Sequence, residues 1–128
     1  MADHRFPKRE KLARRVLWDA VFRQGNTHRE FPLRLHWLES EFPEGIRAQA
    51  GFAVPKRTVR KAVDRNRIRR LIREAYRLEK VAFFNNTAGR YAFVFLYIGK
   101  EAPEYEQVKR AVRSLLQKIR TDEAAVTR

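Results

Sequence analysis

Cationic side chains crowd residues 56–80, and their type indicates binding chemistry. Eleven Lys and Arg stand there against three acids, so this segment holds +8 of the chain's net charge of +14. Arginine predominates, and its planar guanidinium donates paired hydrogen bonds to phosphate and stacks on nucleobases. The segment therefore predicts binding of a polyanion. Its cations are Lys56, Arg57, Arg60, Lys61, Arg65, Arg67, Arg69, Arg70, Arg73, Arg77 and Lys80.

The spacing within residues 58–80 predicts a helix that separates these charges from its apolar side chains. At 3.6 residues per turn, the apolar positions Ile68, Leu71, Ile72, Ala75 and Leu78 share one side. The opposite side carries Asn66, Arg69, Arg70, Arg73 and Arg77. Like charges four residues apart destabilise an isolated helix, so a one-sign stripe favours a polyanion partner over a merely solvated face.

Composition narrows the class of protein. The chain has 128 residues, of which 44% are hydrophobic, so it should fold around one modest core and is too apolar for a disordered basic tail. Nucleic acid is the first candidate partner and an anionic membrane surface the second. The cytoplasm is the expected compartment, because the N-terminus lacks a secretory signal and no apolar run approaches membrane length.

The sequence offers no recognisable catalytic centre. There is no cysteine, and the three histidines show no metal-ligand spacing. We find no Ser/His/Asp arrangement, no glycine-rich phosphate loop and no carboxylate cluster suited to a two-metal nuclease. Glu74 lies at the edge of the basic stripe, where pairing with Arg70 or Arg77 is expected. We therefore predict no catalytic side chains and no certain metal ligand in the protein.

The element order predicts an α+β fold with helices against a small, mostly antiparallel sheet. Residues 1–8 are interpreted as a flexible basic N-terminus, 9–120 as a single nucleic-acid-binding domain and 121–128 as a frayed C-terminus. The predicted elements are a helix at 9–24, strands at 31–39 and 46–54, a helix at 58–80, a strand at 91–98 and a helix at 104–120.

The first predicted helix has two unlike sides. Its core side should carry Leu12, Ala13, Val16, Leu17, Ala20 and Val21. Trp18 and Phe22 fall nearly opposite as an i,i+4 aromatic pair, either covered by the sheet or lining a groove. Aromatic faces beside arginines are a common platform for single-stranded bases. The small residues near Gly51 would let a ligand approach the backbone of the second strand.

The stretch Val54–Arg77 resembles the signature of the bacterial ribonuclease P protein family. It reads VPKRTVRKAVDRNRIRRLIREAYR, and its core runs from Ala62-Val63 through Arg65-Asn66-Arg67-Ile68 to Arg73-Glu74. The family's first helix is echoed by Lys11-Leu12, Trp18, Val21-Phe22 and Gly25, and the start of its first strand by Phe31. The resemblance covers roughly residues 6–120.

The resemblance implies both a fold and a function. The fold would be an α/β sandwich of order helix-strand-strand(-strand)-helix-strand-helix, containing a left-handed βαβ crossover. The protein would join a large catalytic RNA and, with it, cleave the 5′ leader from precursor tRNA. The RNA would carry the chemistry with Mg²⁺ bound mainly by RNA, while the protein recognises the leader. No protein partner is implied.

The resemblance also assigns residues. RNA contacts near the active centre would come from Lys56, Arg57, Arg65, Asn66, Arg67, Arg69, Arg70 and Arg73, with Arg60 and Lys61 in the same basic run. The Asn66 amide could bond to phosphate or indirectly to hydrated metal. A cleft between the first helix and the sheet would hold the single-stranded leader, lined by Trp18, Phe22, Phe31, Arg34, Ala53 and Pro55.

Other functions share the charge and the size. The main alternative is a basic ribosomal or RNA-chaperone protein without a processing role, which would not prefer precursor tRNA over mature tRNA. A protein-only nuclease comes next, and the lack of clustered carboxylates argues against it. A membrane-surface role would need an apolar helix face free for lipid, whereas here that face is required by the core.

Overall fold

Four strands form one mixed sheet with helices on both faces. The computed structural model describes residues 6–43, 45–85, 87 and 89–126. Among the helices so described, none is both long enough and apolar enough to cross a membrane. The elements are a short 3₁₀ helix at Lys8–Glu10, α1 at Arg15–Gln24, β1 at Asn26–Glu30, β2 at Leu33–Glu39, β3 at Ala48–Ala53, α2 at Ala62–Phe84, β4 at Tyr91–Tyr97 and α3 at Tyr105–Val126.

The sheet is mostly antiparallel, as predicted. Its strand order is β1-β2-β4-β3, with β1–β2 and β2–β4 antiparallel and β3–β4 parallel. Because parallel neighbours need a crossover connection, α2 joins β3 to β4 as a βαβ unit. The predicted α+β architecture is confirmed, while the left-handed sense of the crossover stays a prediction.

The central strand β4 supplies both halves of the core. Phe93 and Phe95 pack on the side of α2 and α3, whereas Ala92 and Val94 pack on the side of α1. Complete burial of a phenylalanine side chain stabilises the fold by about 2–3 kcal/mol. The apolar run at 91–98 predicted a strand covered on both faces, and this is confirmed.

The two long helices bury apolar stripes against the sheet. In α2 the predicted residues Ile68, Ile72 and Ala75 are buried. Leu78 was expected on the same side and is exposed, because Tyr76 takes the buried side of that turn. The predicted stripe of α3 is confirmed as buried: Val108, Ala111, Val112, Leu115 and Ile119.

The ends of the chain differ from the prediction. Residues 1–5, the larger part of the predicted flexible N-terminus, lie outside the described residues. The 3₁₀ helix at Lys8–Glu10 spans the boundary between the predicted flexible segment 1–8 and the predicted helix 9–24. At the other end, α3 continues past Thr121, where fraying was expected, to Val126.

The first helix is shorter than predicted and buries only part of the predicted apolar arc. It begins at Arg15 because the preceding chain pairs with β3, where the Leu12 N–H donates to the Ala50 carbonyl at 3.0 Å. Val16 was expected in the core and is 82% exposed, whereas Val21 is fully buried. The prediction therefore holds in part: Leu12, Leu17 and Val21 pack into the core, whereas Ala13 and Val16 are exposed. The helix packs on the sheet through its middle and last turns.

Strand β1 was not predicted. Its sequence, NTHRE, has no apolar alternation, because it is an edge strand that pairs only with β2. A turn at Phe31–Pro32 connects the two strands. Main-chain pairing, rather than side-chain burial, therefore makes this segment a strand.

Candidate nucleic-acid interface

The loop at residues 55–61 is a compact turn that presents cations at the start of α2. The carbonyl of Pro55 accepts hydrogen bonds from the N–H groups of Thr58 and Val59 at 3.3 and 3.1 Å. Arg65 folds back from the first turn of α2, and its Nη1 donates to the carbonyls of Val59 and Arg60 at 3.0 and 2.7 Å. Arg65 therefore holds the loop, and the exposed cations Lys56, Arg57, Arg60 and Lys61 extend from it.

The first three turns of α2 expose the predicted cationic face. Arg67, Arg70 and Arg73 are exposed, on the side away from Ile68 and Ile72. Inward rotation of these groups would have removed the basis for RNA binding, and it does not occur. We define the cationic face as the loop cations with Arg65, Asn66, Arg67, Arg69, Arg70 and Arg73.

Asn66 is linked to its own helix. Its Oδ1 accepts a hydrogen bond of 2.6 Å from Arg69 Nη1, one turn further along. The NH₂ group of Asn66 is then the part of its amide that is left to bind a ligand. As a hydrogen-bond donor, this group suits a phosphate oxygen better than a metal ion. This contact also orders the Arg69 guanidinium beside its neighbours.

Acidic side chains leave most of the cationic face uncompensated. Glu74 pairs with Arg77, one of its two predicted partners. Arg77 Nε donates a hydrogen bond to Glu74 Oε2 at 3.0 Å. That hydrogen bond lowers the pKa of Glu74 below its ordinary value. Within the described ranges no ion pair joins an acid to Lys56, Arg57, Arg60, Lys61, Arg67, Arg70 or Arg73. The face therefore keeps its positive potential.

The aromatic pair of α1 lies over the sheet. The Trp18 indole covers Gly51 so closely that a Cβ added to Gly51 would be 2.3 Å from the indole Cζ2. The Trp18 Nε1 donates a hydrogen bond to the Leu12 carbonyl at 2.6 Å. The Phe22 ring stacks 6.2 Å from that of Trp18 and is 44% exposed. Trp18 therefore occupies the space over Gly51 that was predicted to admit a ligand, and Phe22 forms the exposed edge of the pair.

A partly exposed row of residues crosses the sheet beside this pair. Arg34 on β2 is opposite Leu96 on β4, which is opposite Ala53 on β3. Paired residues face the same side of a sheet, and Leu96 shares its side with Val94, which packs under α1. Ala53 is three residues before Lys56, so the row lies within about 10 Å of chain from the cationic face.

His36, whose ring contacts that of Phe22, is a residue that sequence reasoning did not single out. Its ring is 4.6 Å from that of Phe22, and its buried Nε2 has no hydrogen-bond partner among the described residues. Burial lowers the pKa of His36, and the charge of Arg34 lowers it further. The sequence did hold a signal for His36, because it lies two residues after Arg34. This spacing places His36 and Arg34 on the same face of β2.

Two predicted cleft residues lie at the margins. Pro55 belongs to the loop that leads into the cationic face. Phe31 is an exposed ring in the turn before β2, where it lines a pocket with Tyr97, Gly99 and Pro103. The structure brings Trp18 and Phe22 together and puts Arg34 and Ala53 in one row. A role for Phe31 in binding the leader stays a prediction.

Comparison with known families agrees with this geometry. A family model described as Ribonuclease P matches residues 6–120. The chain belongs to the ribonuclease P protein family. The ribonuclease P protein component of Porphyromonas gingivalis (strain ATCC 33277) is 33% identical over 115 residues, covering 88% of this chain and 84% of that protein. That of Chlorobium phaeobacteroides is 33% identical over 129 residues, covering 91% and 88%.

Solved ribonuclease P proteins share the fold. The protein from Thermotoga maritima superposes with a TM-score of 0.68 at 19% identity, covering 85% of this chain and 96% of that one. The protein from Staphylococcus aureus also gives 0.68, at 14% identity, covering 86% and 94%. Family membership supports a role in tRNA 5′ processing as a subunit of the ribonuclease P endoribonuclease, with an RNA partner.

Within this ribonuclease P protein, Arg65 and Arg67 should respond differently to truncation. Arg65→Ala removes two hydrogen bonds from a charged donor, so we expect the free energy of unfolding to fall by about 1–2 kcal/mol. Arg67→Ala alters an exposed side chain and should change it by less than about 0.5 kcal/mol. Urea unfolding measures both, and RNA titration should show weaker binding for each. Equal stability of the two variants would contradict the loop-holding role of Arg65.

Proposed function

We propose that this chain binds the catalytic RNA of ribonuclease P through its cationic face and the 5′ leader of precursor tRNA in the cleft beside α1. By doing so it assists endonucleolytic removal of the leader, which gives the mature tRNA 5′ end. The proposal places the chain in the cytoplasm, with tRNA precursors as substrate and with the RNA subunit as its partner.

The uncompensated charge of the cationic face carries this proposal. Lys and Arg that neutralise RNA phosphates release condensed counterions, which drives association at low salt. Two of the three acids of α2 are paired elsewhere, Glu74 with Arg77 and Glu79 with Arg113, which leaves Asp64 as the one acid of α2 beside many cations. The positive surface is thus available to phosphate along three turns of helix and the loop before it.

The cleft supports recognition of a single strand. Phe22 offers an exposed ring edge, and Arg34 adds a guanidinium in the adjoining row of the sheet. Stacking of a base on an aromatic side chain contributes about 1–3 kcal/mol and tolerates any sequence. A leader that runs from this row past Ala53 would reach the loop at Lys56, which joins the two parts of the interface.

The proposal assigns the chemical step to the RNA. Among the described residues, no three His, Asp or Glu side chains cluster in a way that could hold a metal ion. As the resemblance to the family implies, the proposal has the RNA hold most of the Mg²⁺ and supply the catalytic groups. The protein's own contribution is to bind and orient the two RNAs, and Asn66 contributes a phosphate contact.

Cleavage of precursor tRNA by the catalytic RNA at low Mg²⁺, with and without this chain, tests the proposal. We expect the chain to restore cleavage under conditions where the RNA alone is slow. We also expect tighter binding of the holoenzyme to precursor tRNA than to mature tRNA, since only the precursor has a leader. Absence of both effects would leave a general RNA-binding or chaperone role instead.

A further inference from the structure

Residues 6–12, here named the N-terminal clasp, lie along the outer edge of β3. The Leu12 N–H donates to the Ala50 carbonyl at 3.0 Å, and Gln49 Nε2 donates to the Arg9 carbonyl at 3.0 Å. Strand β3 is an edge strand of the sheet, so its outer main-chain groups are open to such pairing. The clasp is therefore a built part of the fold that precedes α1.

Two side chains anchor the clasp to α2. The Phe6 ring packs edge-on against Tyr76 and Phe52, with centroids 5.9 and 5.7 Å away. Glu10 Oε1 accepts a hydrogen bond from Lys80 Nζ at 2.7 Å. Burial raises the pKa of Tyr76, and the charge of Glu10 raises it further, as expected for a carboxylate near the ring.

The Glu10–Lys80 pair is the lock of this arrangement. Lys80 is the one charged side chain buried in the described core, with 5% of its surface exposed. A buried ammonium is tolerated when a carboxylate compensates its charge, and breaking such a pair is strongly destabilising. Release of the clasp would remove Glu10 from this buried charge, so the pair favours the docked position.

The clasp turns its acid inward and its cations outward. Glu10 is its only acid and is committed to Lys80. Lys8, Arg9 and Lys11 are exposed. The clasp therefore presents three positive charges to solvent with no negative charge among them.

The clasp packs on the same side of α2 that carries Arg69 and Arg73 of the cationic face. Arg69, Arg73, Tyr76 and Lys80 are spaced by four, three and four residues, so they share one side of α2. The first half of that stripe exposes Arg73, and the clasp covers the second half at Tyr76 and Lys80. The clasp neutralises Lys80, the last cation on this side of α2, and brings its own exposed cations to the same half of the helix.

We propose that Lys8, Arg9 and Lys11 form a second phosphate-binding surface that continues the cationic face, and that the Glu10–Lys80 pair holds this surface in place. The inference rests on the proposed function, because it assigns further RNA phosphates to the same side of the molecule. The phosphates belong either to the catalytic RNA or to precursor tRNA. Each RNA is therefore titrated separately, the second against the assembled holoenzyme.

The variant Lys8→Gln/Arg9→Gln tests the surface against a control of equal charge loss, Lys100→Gln/Arg120→Gln, whose side chains are exposed near and on α3. At about 100 mM salt we expect the clasp variant to bind one of the two RNAs about tenfold or more weakly, with a salt slope reduced by about 1.5–2. The control should change affinity by less than about twofold. Equal losses in the two variants would overturn the inference, because net charge alone would explain them.

Glu10→Gln tests whether the Glu10–Lys80 pair holds the clasp in place. A net-charge effect and loss of this pair predict opposite changes in RNA affinity. Removal of a negative charge should tighten RNA binding if only net charge matters. Loss of the lock should weaken binding by about threefold or more, because the clasp cations lose their fixed position. The variant Glu10→Leu/Lys80→Met keeps the net charge and replaces the ion pair by an apolar contact, so we expect affinity near that of the unaltered chain. Tighter binding by Glu10→Gln, or weak binding by a folded double variant, would overturn the lock.

Different variants test the proposed function and the role of the clasp. Substitution of Arg67, Arg70 and Arg73 tests the cationic face without touching the clasp. Strong loss there, with none in Lys8→Gln/Arg9→Gln, would remove only the further inference. Unchanged binding in both sets would remove the proposed function as well.

Discussion

The triple variant Arg67→Gln/Arg70→Gln/Arg73→Gln is expected to bind the catalytic RNA about a hundredfold or more weakly at roughly 100 mM salt. Each phosphate contact contributes close to one unit of salt slope, so the slope should fall by about 2–3. The physical reason is that these guanidinium groups are exposed and form no ion pair with an acid among the described residues. Titration of the RNA at four or five salt concentrations measures affinity and slope together.

A matched control shows whether RNA affinity depends on the position of the removed charges or only on their number. Lys100→Gln/Arg110→Gln/Arg120→Gln removes the same charge from exposed positions outside α2. Glutamine has a helix propensity close to that of arginine, so both triple variants should keep their circular dichroism and urea midpoint. Equal loss of affinity in the control would mean that RNA responds to net charge and that α2 has no special role.

The cationic helix was predictable because two independent patterns coincide in it. The apolar residues Ile68, Ile72 and Ala75 recur at helical spacing, and the charges occupy the remaining angles. Periodicity decides which side faces the core. It therefore also decided that Arg70 and Arg73 face solvent, which is the observation on which the function depends.

The internal contacts of the site were not predictable, since they depend on where the chain turns. Arg65 is an ordinary member of the basic run by sequence, yet it donates to the carbonyls of Val59 and Arg60. The pairing of Glu10 with Lys80 spans seventy residues. Such contacts require the tertiary fold, whereas the i,i+3 pair of Glu74 with Arg77 follows from helix geometry alone.

The region around α1 shows why amphipathic arcs mislead in short helices. The arc through Val16 fits a helix that starts at residue 9, but pairing of Leu12 with Ala50 delays the helix to Arg15. A ten-residue helix contacts the sheet along less than three turns. Its inward side is formed by Leu17, Trp18 and Val21, so only part of the predicted arc reaches the core.

Trp18→Ala is expected to have two effects, one on stability and one on recognition. The indole packs on Gly51 and bonds to the Leu12 carbonyl, so its removal should lower the free energy of unfolding by about 2–3 kcal/mol, less than for a fully buried tryptophan. It also removes the support beneath Phe22. We therefore expect the preference of the holoenzyme for precursor over mature tRNA to fall by about tenfold, within the range for loss of one stacked base.

The ratio of precursor to mature tRNA affinity isolates recognition, because partial unfolding weakens both affinities alike. Phe22→Ala provides the complement, since its ring is largely exposed and its loss should cost little stability. Trp18→Phe keeps an aromatic ring over Gly51 and should retain most of the preference. If Trp18→Ala lowers stability while both alanine variants keep the full ratio, the aromatic pair only packs α1 on the sheet, and the leader binds elsewhere.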